Sequence, residues 1–250
     1  MELDEYRRIA AASESHWWYK ATRSLLQQTI IPLLAPAGPD TCYLDAAGGT
    51  GATGNWLADR ATTVLDDYEP FALSIARDES DGYRPVRADM NQLPHRDASF
   101  DAVLCVTALY HRLNPDPQLV VNEFARVVKP GGVVCLMEPG VRRIWRSHDE
   151  VTHAARRFSL GDMRTLVRNS GLTLVRSTGA YSFLVPPAAA LSILSRNTPT
   201  TDASSSDVGR SGGRLSGLAA GIAATERLIL RHTSLPFGLS VLAIGRKEPA

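Results

Sequence analysis

Residues 43–56, YLDAAGGTGATGNW, run from an apolar stretch into an acid and then into a turn crowded with glycine. That order reads as a β-strand ending in a tight turn that opens into a helix. Such a turn presents backbone N–H groups and the positive end of a helix to a ligand. Two ligand classes compete for it. Gly49, Gly51 and Gly54 fit the G-x-G-x-x-G dinucleotide fingerprint, with Asp66 or Asp67 beyond. The same turn suits a nucleoside that carries no phosphate.

Outward from this stretch, strand-like and helix-like segments alternate, as in βαβ units around a parallel sheet. TCYLDAA reads as a first strand and GATGNWLADRA as the helix after it. TTVLDDY, RPVRADM and FDAVLCVTAL follow as strands, with EPFALSIARDE a helix between the first two. PQLVVNEFARVV has helical spacing at Leu119, Val120, Phe124 and Val127, and KPGG ends it at a glycine turn before the strand GVVCLMEP. A polar helix through residues 148–157, a helix from Ser159 and a strand from Leu172 come next. LSVLAIGRK closes the pattern. Residues 183–234 interrupt it: an apolar, proline-broken run, a Ser/Gly/Thr-rich stretch read as flexible over about 198–217, and a helix-forming run from Gly217.

Composition excludes several classes. The 250 residues carry a formal charge of +1, too little for a nucleic-acid-binding face. Three cysteines without paired spacing give neither a disulfide framework nor a zinc site, and read as core residues in a reducing compartment. His148 and His153, with Asp149 and Glu150, lack the i, i+4 spacing of a metal pair, so no metal is expected. The N-terminal residues lack the pattern of a secretory signal, and the longest apolar run, Phe183–Leu194, is shorter than the ~20 residues of a membrane span. A cytoplasmic protein is expected, with contact at a membrane surface left open. Nothing in the sequence speaks to oligomeric state.

Asp45, at the strand end before the glycines, separates the two ligand classes. LDAAGGTG resembles the first motif of the class I S-adenosylmethionine-dependent methyltransferases, Leu-Asp-x-Gly-x-Gly-x-Gly, with Ala47 where the family has its first glycine. VLDDYEPFALSIAR, VRADMNQLP, ASFDAVLCVTALYHRL and VVNEFARVVKPGGVVCLMEP resemble the later motifs in the family's order. The resemblance, to the type 11-like bacterial subgroup, covers roughly residues 14–182 and the last strand. It implies an α/β, doubly wound Rossmann-like fold whose seven-stranded sheet is mostly parallel, with an antiparallel last strand. It also implies S-adenosyl-L-methionine as cofactor. Asp45, Ala47, Gly48, Gly49 and Gly51 would floor its site, and Asp67 would accept from both ribose hydroxyls, with Tyr68 beside it. Asp89 would accept from the adenine amino group, Met90 would lie against the ring, and Val106 would end the fourth strand below the ligand. ESHWWYKATRSLL resembles the helix preceding this domain in the subgroup, so Trp18 and Arg23 would help cover the cofactor.

The expected organisation is a helical lid (residues 1–34), the cofactor domain (35–182), an insertion (183–234) and a closing strand (235–250). The expected reaction is O- or C-methylation of a small-molecule acceptor, or of a lipid or glycolipid. His111, in the loop after the fourth strand, is the candidate base, set against a purely structural role. A short-chain-type NAD(P)-dependent oxidoreductase would need Tyr-x-x-x-Lys, and neither Tyr110 nor Tyr181 has lysine at that offset. A non-catalytic S-adenosylmethionine-binding protein is the third reading.

Overall fold

The computed structural model describes residues 3–79, 82–142, 153–195 and 214–249. Seven strands form one sheet in the order β3-β2-β1-β4-β5-β7-β6. They are β1 (Cys42–Ala46), β2 (Thr62–Asp67), β3 (Tyr83–Arg87), β4 (Phe100–Val106), β5 (Val128–Pro139), β6 (Thr173–Ala180) and β7 (Ser240–Arg246). β1 to β5 pair in parallel, and β7 runs antiparallel to both β5 and β6. The expected doubly wound, mostly parallel sheet therefore forms.

Strand side chains alternate between two cores, as a sheet covered on both faces requires. Tyr43, Leu104, Cys135, Leu242 and Ile244 face one side with helix α2 (Trp17–Ile30) and the last described helix, Arg214–Ile229. Leu44, Val103, Cys105, Leu136 and Ala243 face the other, against α4 (Pro117–Val127) and α5 (Leu160–Asn169). α3 (Pro70–Glu79) packs over β2 and β3, and α1 (Leu3–Ser13) lies against α3.

Local chemistry sets the helix starts. Asp116 caps α4 by accepting from Gln118 N, and Pro117 occupies the first turn, where its missing N–H costs nothing. Ser159 and Asp162 form a reciprocal capping box on α5. Helix α6 (Val185–Ser195) forms although the run contains two prolines, because Pro186 and Pro187 fall in its first turn. The last helix, α7, spans Arg214–Ile229. Among the described residues, no helix is long and apolar enough to cross a membrane.

Three expectations need correction. The helix after the glycine turn is reduced to a 3₁₀ turn at Asn55–Leu57. KPGG belongs to β5: α4 ends at Val127, and the pairing with β4 jumps from Phe100–Val128 to Ala102–Val133 across the glycines. Of the expected polar helix, residues 153–157 form none; Ala154 pairs with His111 in an isolated antiparallel bridge instead. Residues 148–152 of that run, and 198–213 of the expected flexible stretch, lie outside the described residues.

One buried hydrogen bond ties α2 to the end of β6: Thr22 Oγ1 and Tyr181 Oη lie 2.8 Å apart. Tyr181→Phe strands the Thr22 hydroxyl, which is 0% exposed. The expected cost is about 1–2 kcal/mol, read as a lower urea midpoint with unchanged slope.

Candidate functional site

Asp45 ends β1 with its carboxylate 1% exposed, directly beneath the glycine turn. Its Oδ2 accepts from Tyr83 Oη at 2.8 Å. Burial pushes its pKa up to about 7 against that bond, with the nearby Asp67 and Asp66 charges adding to the rise. A Cβ on Gly54 would lie 2.1 Å from this carboxylate, so only glycine fits where the chain after the turn passes over it. Gly54 is thus fixed by packing, not spent as an ordinary helix residue. Gly49 differs. It has φ +60°, and the nearest atom to a Cβ there is Asp67 Oδ2 at 3.9 Å. Its surroundings are open, and that opening is where a ligand can approach the backbone. Ala47 holds the family's first glycine position at φ +52°, a left-handed conformation without glycine's freedom. Asp45 reaches the ligand side of the turn only through the backbone above it.

The next strand ends separate the two adjacent acids. Asp67 Oδ2 accepts from Gly49 N and Oδ1 from Glu69 N, both at 2.9 Å. Asp66 points away and meets His95 Nε2 at 2.7 Å. Asp67 therefore sits at the glycine turn and Asp66 does not. Tyr68 beside it is 58% exposed, with the Arg87 guanidinium 5.6 Å from its ring centroid. Asp89, after β3, is exposed and accepts from Asn91 N at 2.8 Å. Met90 is half-buried against the core, and Val106 is buried at the end of β4.

The loop after β4 is held by a residue the sequence reading missed. Glu138, fully buried near the end of β5, accepts from Ala108 N at 3.0 Å, Leu109 N at 2.8 Å and Tyr110 N at 3.2 Å. Burial pushes it up to about 8 against the pull of those three amides. Asn114 Nδ2, also buried, donates to Ala108 O at 2.8 Å. His111 stands on this fixed loop. Its Nδ1 accepts from Leu113 N at 3.2 Å, which assigns the neutral tautomer with the proton on Nε2. Burial above all, with nearby positive charges adding to it, holds its pKa down to about 4. At neutral pH the ring is uncharged, and its outward nitrogen is a donor.

Two N-terminal helices flank the same edge. The Tyr6 phenol is pushed up by burial and by the charges of Asp67 and Glu69, so α1 borders the end of β2. Glu5 on the same helix is 2% exposed, and neither of its oxygens accepts a hydrogen bond. Arg23 Nη1 donates to Ala52 O at 2.8 Å, fastening α2 to the glycine turn. Trp18 is half-buried, edge-on to Tyr19. Among the described residues, no group of three His, Cys, Asp or Glu is arranged to hold a metal ion.

The turn, Asp67, Asp89 and the His111 loop share one edge, where β1 has β2 on one side and β4 on the other. In doubly wound sheets this reversal point is the ligand crevice. Residues 44–136, which carry all of these groups, match the family model described as a methyltransferase domain. Over these residues the chain resembles methyltransferase domains. The chain is 32% identical over 159 residues to 2-methyl-6-phytyl-1,4-hydroquinone methyltransferase 1, chloroplastic, of Oryza sativa subsp. japonica, covering 56% of this chain and 48% of that one. It is 33% identical over 141 residues to a demethylmenaquinone methyltransferase of Bacillus licheniformis, covering 53% and 56%. The chain thus spans about half the length of these relatives. Its fold is also that of a chain in the complex between the Haloferax volcanii Trm112 methyltransferase activator and a methyltransferase (TM-score 0.63, 21% identity, 100% and 97% covered).

The raised acids and the lowered histidine give stability a definite pH profile. Asp45 and Glu138 bind protons more tightly folded than unfolded, so their contribution is full below about pH 4 and is lost as pH rises to about 8. His111 acts in the opposite sense: its contribution is full above about pH 6.5 and is lost as pH falls through about 4. The expected Tm falls between pH 6 and 8, and Glu138→Gln, which has no carboxyl proton to lose, flattens that fall. An equally steep fall in the variant would remove Glu138 from the account.

Proposed function

We propose that this chain binds S-adenosylmethionine across the carboxyl ends of β1, β2 and β4. In this reading it transfers the donor's methyl group to an oxygen or carbon of a small or lipid-linked acceptor. The observation that carries the reading is the Asp67 carboxylate. It is clamped by Gly49 N–H and Glu69 N–H at the lip of the one glycine of the turn whose Cβ side stands open. Each oxygen so held keeps a lone pair, and a carboxylate with two aligned acceptors suits a vicinal diol. The open backbone at Gly49 suits the amino-acid part of the donor.

Bound S-adenosylmethionine supplies a methyl group on a sulfonium centre, open to in-line displacement. The protein's own contribution is then mostly alignment and exclusion of water. In this reading Ala47, Gly48, Gly49 and Gly51 form the floor, with Asp45 and Tyr83 bracing it from below. Asp67 takes the ribose and Asp89 the adenine amino group, while Tyr68, Met90 and Val106 flank the nucleoside. Trp18 and Arg23, with the rest of residues 3–34, form the cover. His111 acts through its Nε2–H, donating to the acceptor and orienting it. A neutral ring with its other nitrogen already bonded is a better orienting donor than a base.

Residues 183–234 are read as a cap over the acceptor. The apolar helix α6 supports this, as does the docking of Phe183 N on Glu226 Oε2 of α7 at 3.0 Å. Two relatives carry names with a hydroquinone or a menaquinone, which supports an aromatic, lipid-linked acceptor. Nucleic acid has no place in the reading.

Calorimetric titration tests the donor. S-adenosylmethionine is expected to bind and NADH to give no heat. Asp67→Ala should weaken donor binding by about 10–100-fold, the equivalent of one or two charge-assisted hydrogen bonds. Asp66→Ala should lower stability and leave donor affinity unchanged. NADH binding without a response to S-adenosylmethionine would sink the proposal.

A further inference from the structure

The N-terminal helix α1 is tied to the ligand edge at two places. Early in the helix, the Arg7 guanidinium lies 4.8 Å from the centroid of the Phe71 ring, in the first turn of α3. Just past its last turn, Glu14 Oε1 meets Arg23 Nη2 at 3.3 Å. The same guanidinium donates through Nη1 to Ala52 O in the glycine turn, at 2.8 Å. Between these ties stands Tyr6. Burial pushes its phenol up, and Asp67, Glu69 and Tyr110 all add to the rise. Tyr6 is therefore near the β2 end on one side of the crevice and the acceptor loop on the other.

A helix laid on a surface normally turns apolar residues inward. In α1 the buried residues are both polar, Glu5 and Ser13. Ser13 is satisfied within the helix, its Oγ donating to Ala10 O at 2.8 Å. Glu5 is not. It is 2% exposed, and neither oxygen accepts a hydrogen bond. Arg8 Nη1, one turn on, stands 3.6 Å from Oε2, too far for a hydrogen bond, on a side chain that is 47% exposed. After burial, the Glu5 carboxylate is the main influence raising the Tyr19 phenol, and Tyr110 acts on that same phenol. Glu5 thus shares the space between α1, α2 and the loop that carries His111. A buried carboxylate with both acceptors unused is costly, and a fold that keeps one on the inner side of a cover has a partner for it elsewhere.

We propose that Glu5 binds the methyl donor, its carboxylate receiving a cationic group of S-adenosylmethionine as α1 covers the site. The proposal rests on the reading of this edge as an S-adenosylmethionine site. The donor carries two such groups, the sulfonium and the α-ammonium. An ammonium donates up to three hydrogen bonds and can satisfy both oxygens, whereas a sulfonium brings charge without an N–H. Asp67 is already given to the ribose in this reading, which leaves the donor's positive charge to be met from the cover. Donor charge and closure of α1 are then one event.

Calorimetric titration of the full chain with S-adenosylmethionine and with S-adenosylhomocysteine, which keeps the ammonium and lacks the sulfonium charge, tests this. Glu5→Gln is expected to weaken S-adenosylmethionine binding by about 10–100-fold. An equal loss for S-adenosylhomocysteine assigns the ammonium, and a loss confined to S-adenosylmethionine assigns the sulfonium. The unliganded variant should melt about 2–4 °C higher, because the unsatisfied carboxylate is gone. Glu5→Leu, a helix former suited to a buried position, serves where Glu5→Gln does not fold. Donor affinity within two-fold of the unsubstituted chain in a folded variant would overturn the proposal. A lower Tm beside that unchanged affinity would give the carboxylate to Arg8 instead. If the unsubstituted chain binds no S-adenosylmethionine, the reading of the site itself fails.

Discussion

The buried carboxylate of Asp45 constrains everything built above it. A charge-bearing group placed at the end of a central strand, with a single hydroxyl partner, leaves no room for side chains over it. The chain that leaves β1 must therefore be glycine where it passes over that carboxylate, at Gly48 and Gly54. What emerges is a backbone shelf whose upper side is bare at Gly49. Asp67 then joins that shelf to the end of β2 through a hydrogen bond to Gly49 N–H. Neighbouring strands are thus locked at the edge where the ligand is read to sit.

Glu138 does for the far side of the crevice what Asp45 does for the near side. Both are buried acids at carboxyl strand ends, and both spend their oxygens on neighbouring chain. Asp45 holds up a turn by occupying space, whereas Glu138 gathers three consecutive amides and so dictates the path of the loop that carries His111. A loop fixed in this way can present one imidazole in one orientation, as alignment-driven chemistry requires. Residues 153–155 add a second set of backbone bonds to the same loop, Arg112 N donating to His153 O and Ala155 N to Tyr110 O.

Much of this was legible in the sequence because strands of a doubly covered sheet read as continuous apolar runs, and their ends carry acids. The family resemblance assigns the ribose to Asp67, and the two adjacent carboxylates point to different partners. The packing of Gly54 on the carboxylate nine positions earlier was not legible, since spacing alone does not show which glycine meets a buried acid. Glu138 looked like the acid at the end of one more apolar strand; its role depends on amides some 30 residues away in the chain. The tautomer of His111 depends on a hydrogen bond from Leu113, which spacing alone does not reveal. The helix at Val185–Ser195 was hidden by two prolines that turn out to fall where a helix tolerates them.

The place of β7 in the sheet has a consequence for how the chain is made. It follows every other strand in sequence, yet it lies between β5 and β6 and supplies all the hydrogen bonds that join them. During synthesis β1 to β5 can pair as they emerge, but β6 has no neighbour until residues 240–246 are available. Until then the outer edge of β5 and both edges of β6 stand open, the condition in which nascent sheets pair with the wrong chain. A polypeptide halted before this strand would keep its glycine turn and still lack a closed sheet, leaving it dependent on a chaperone.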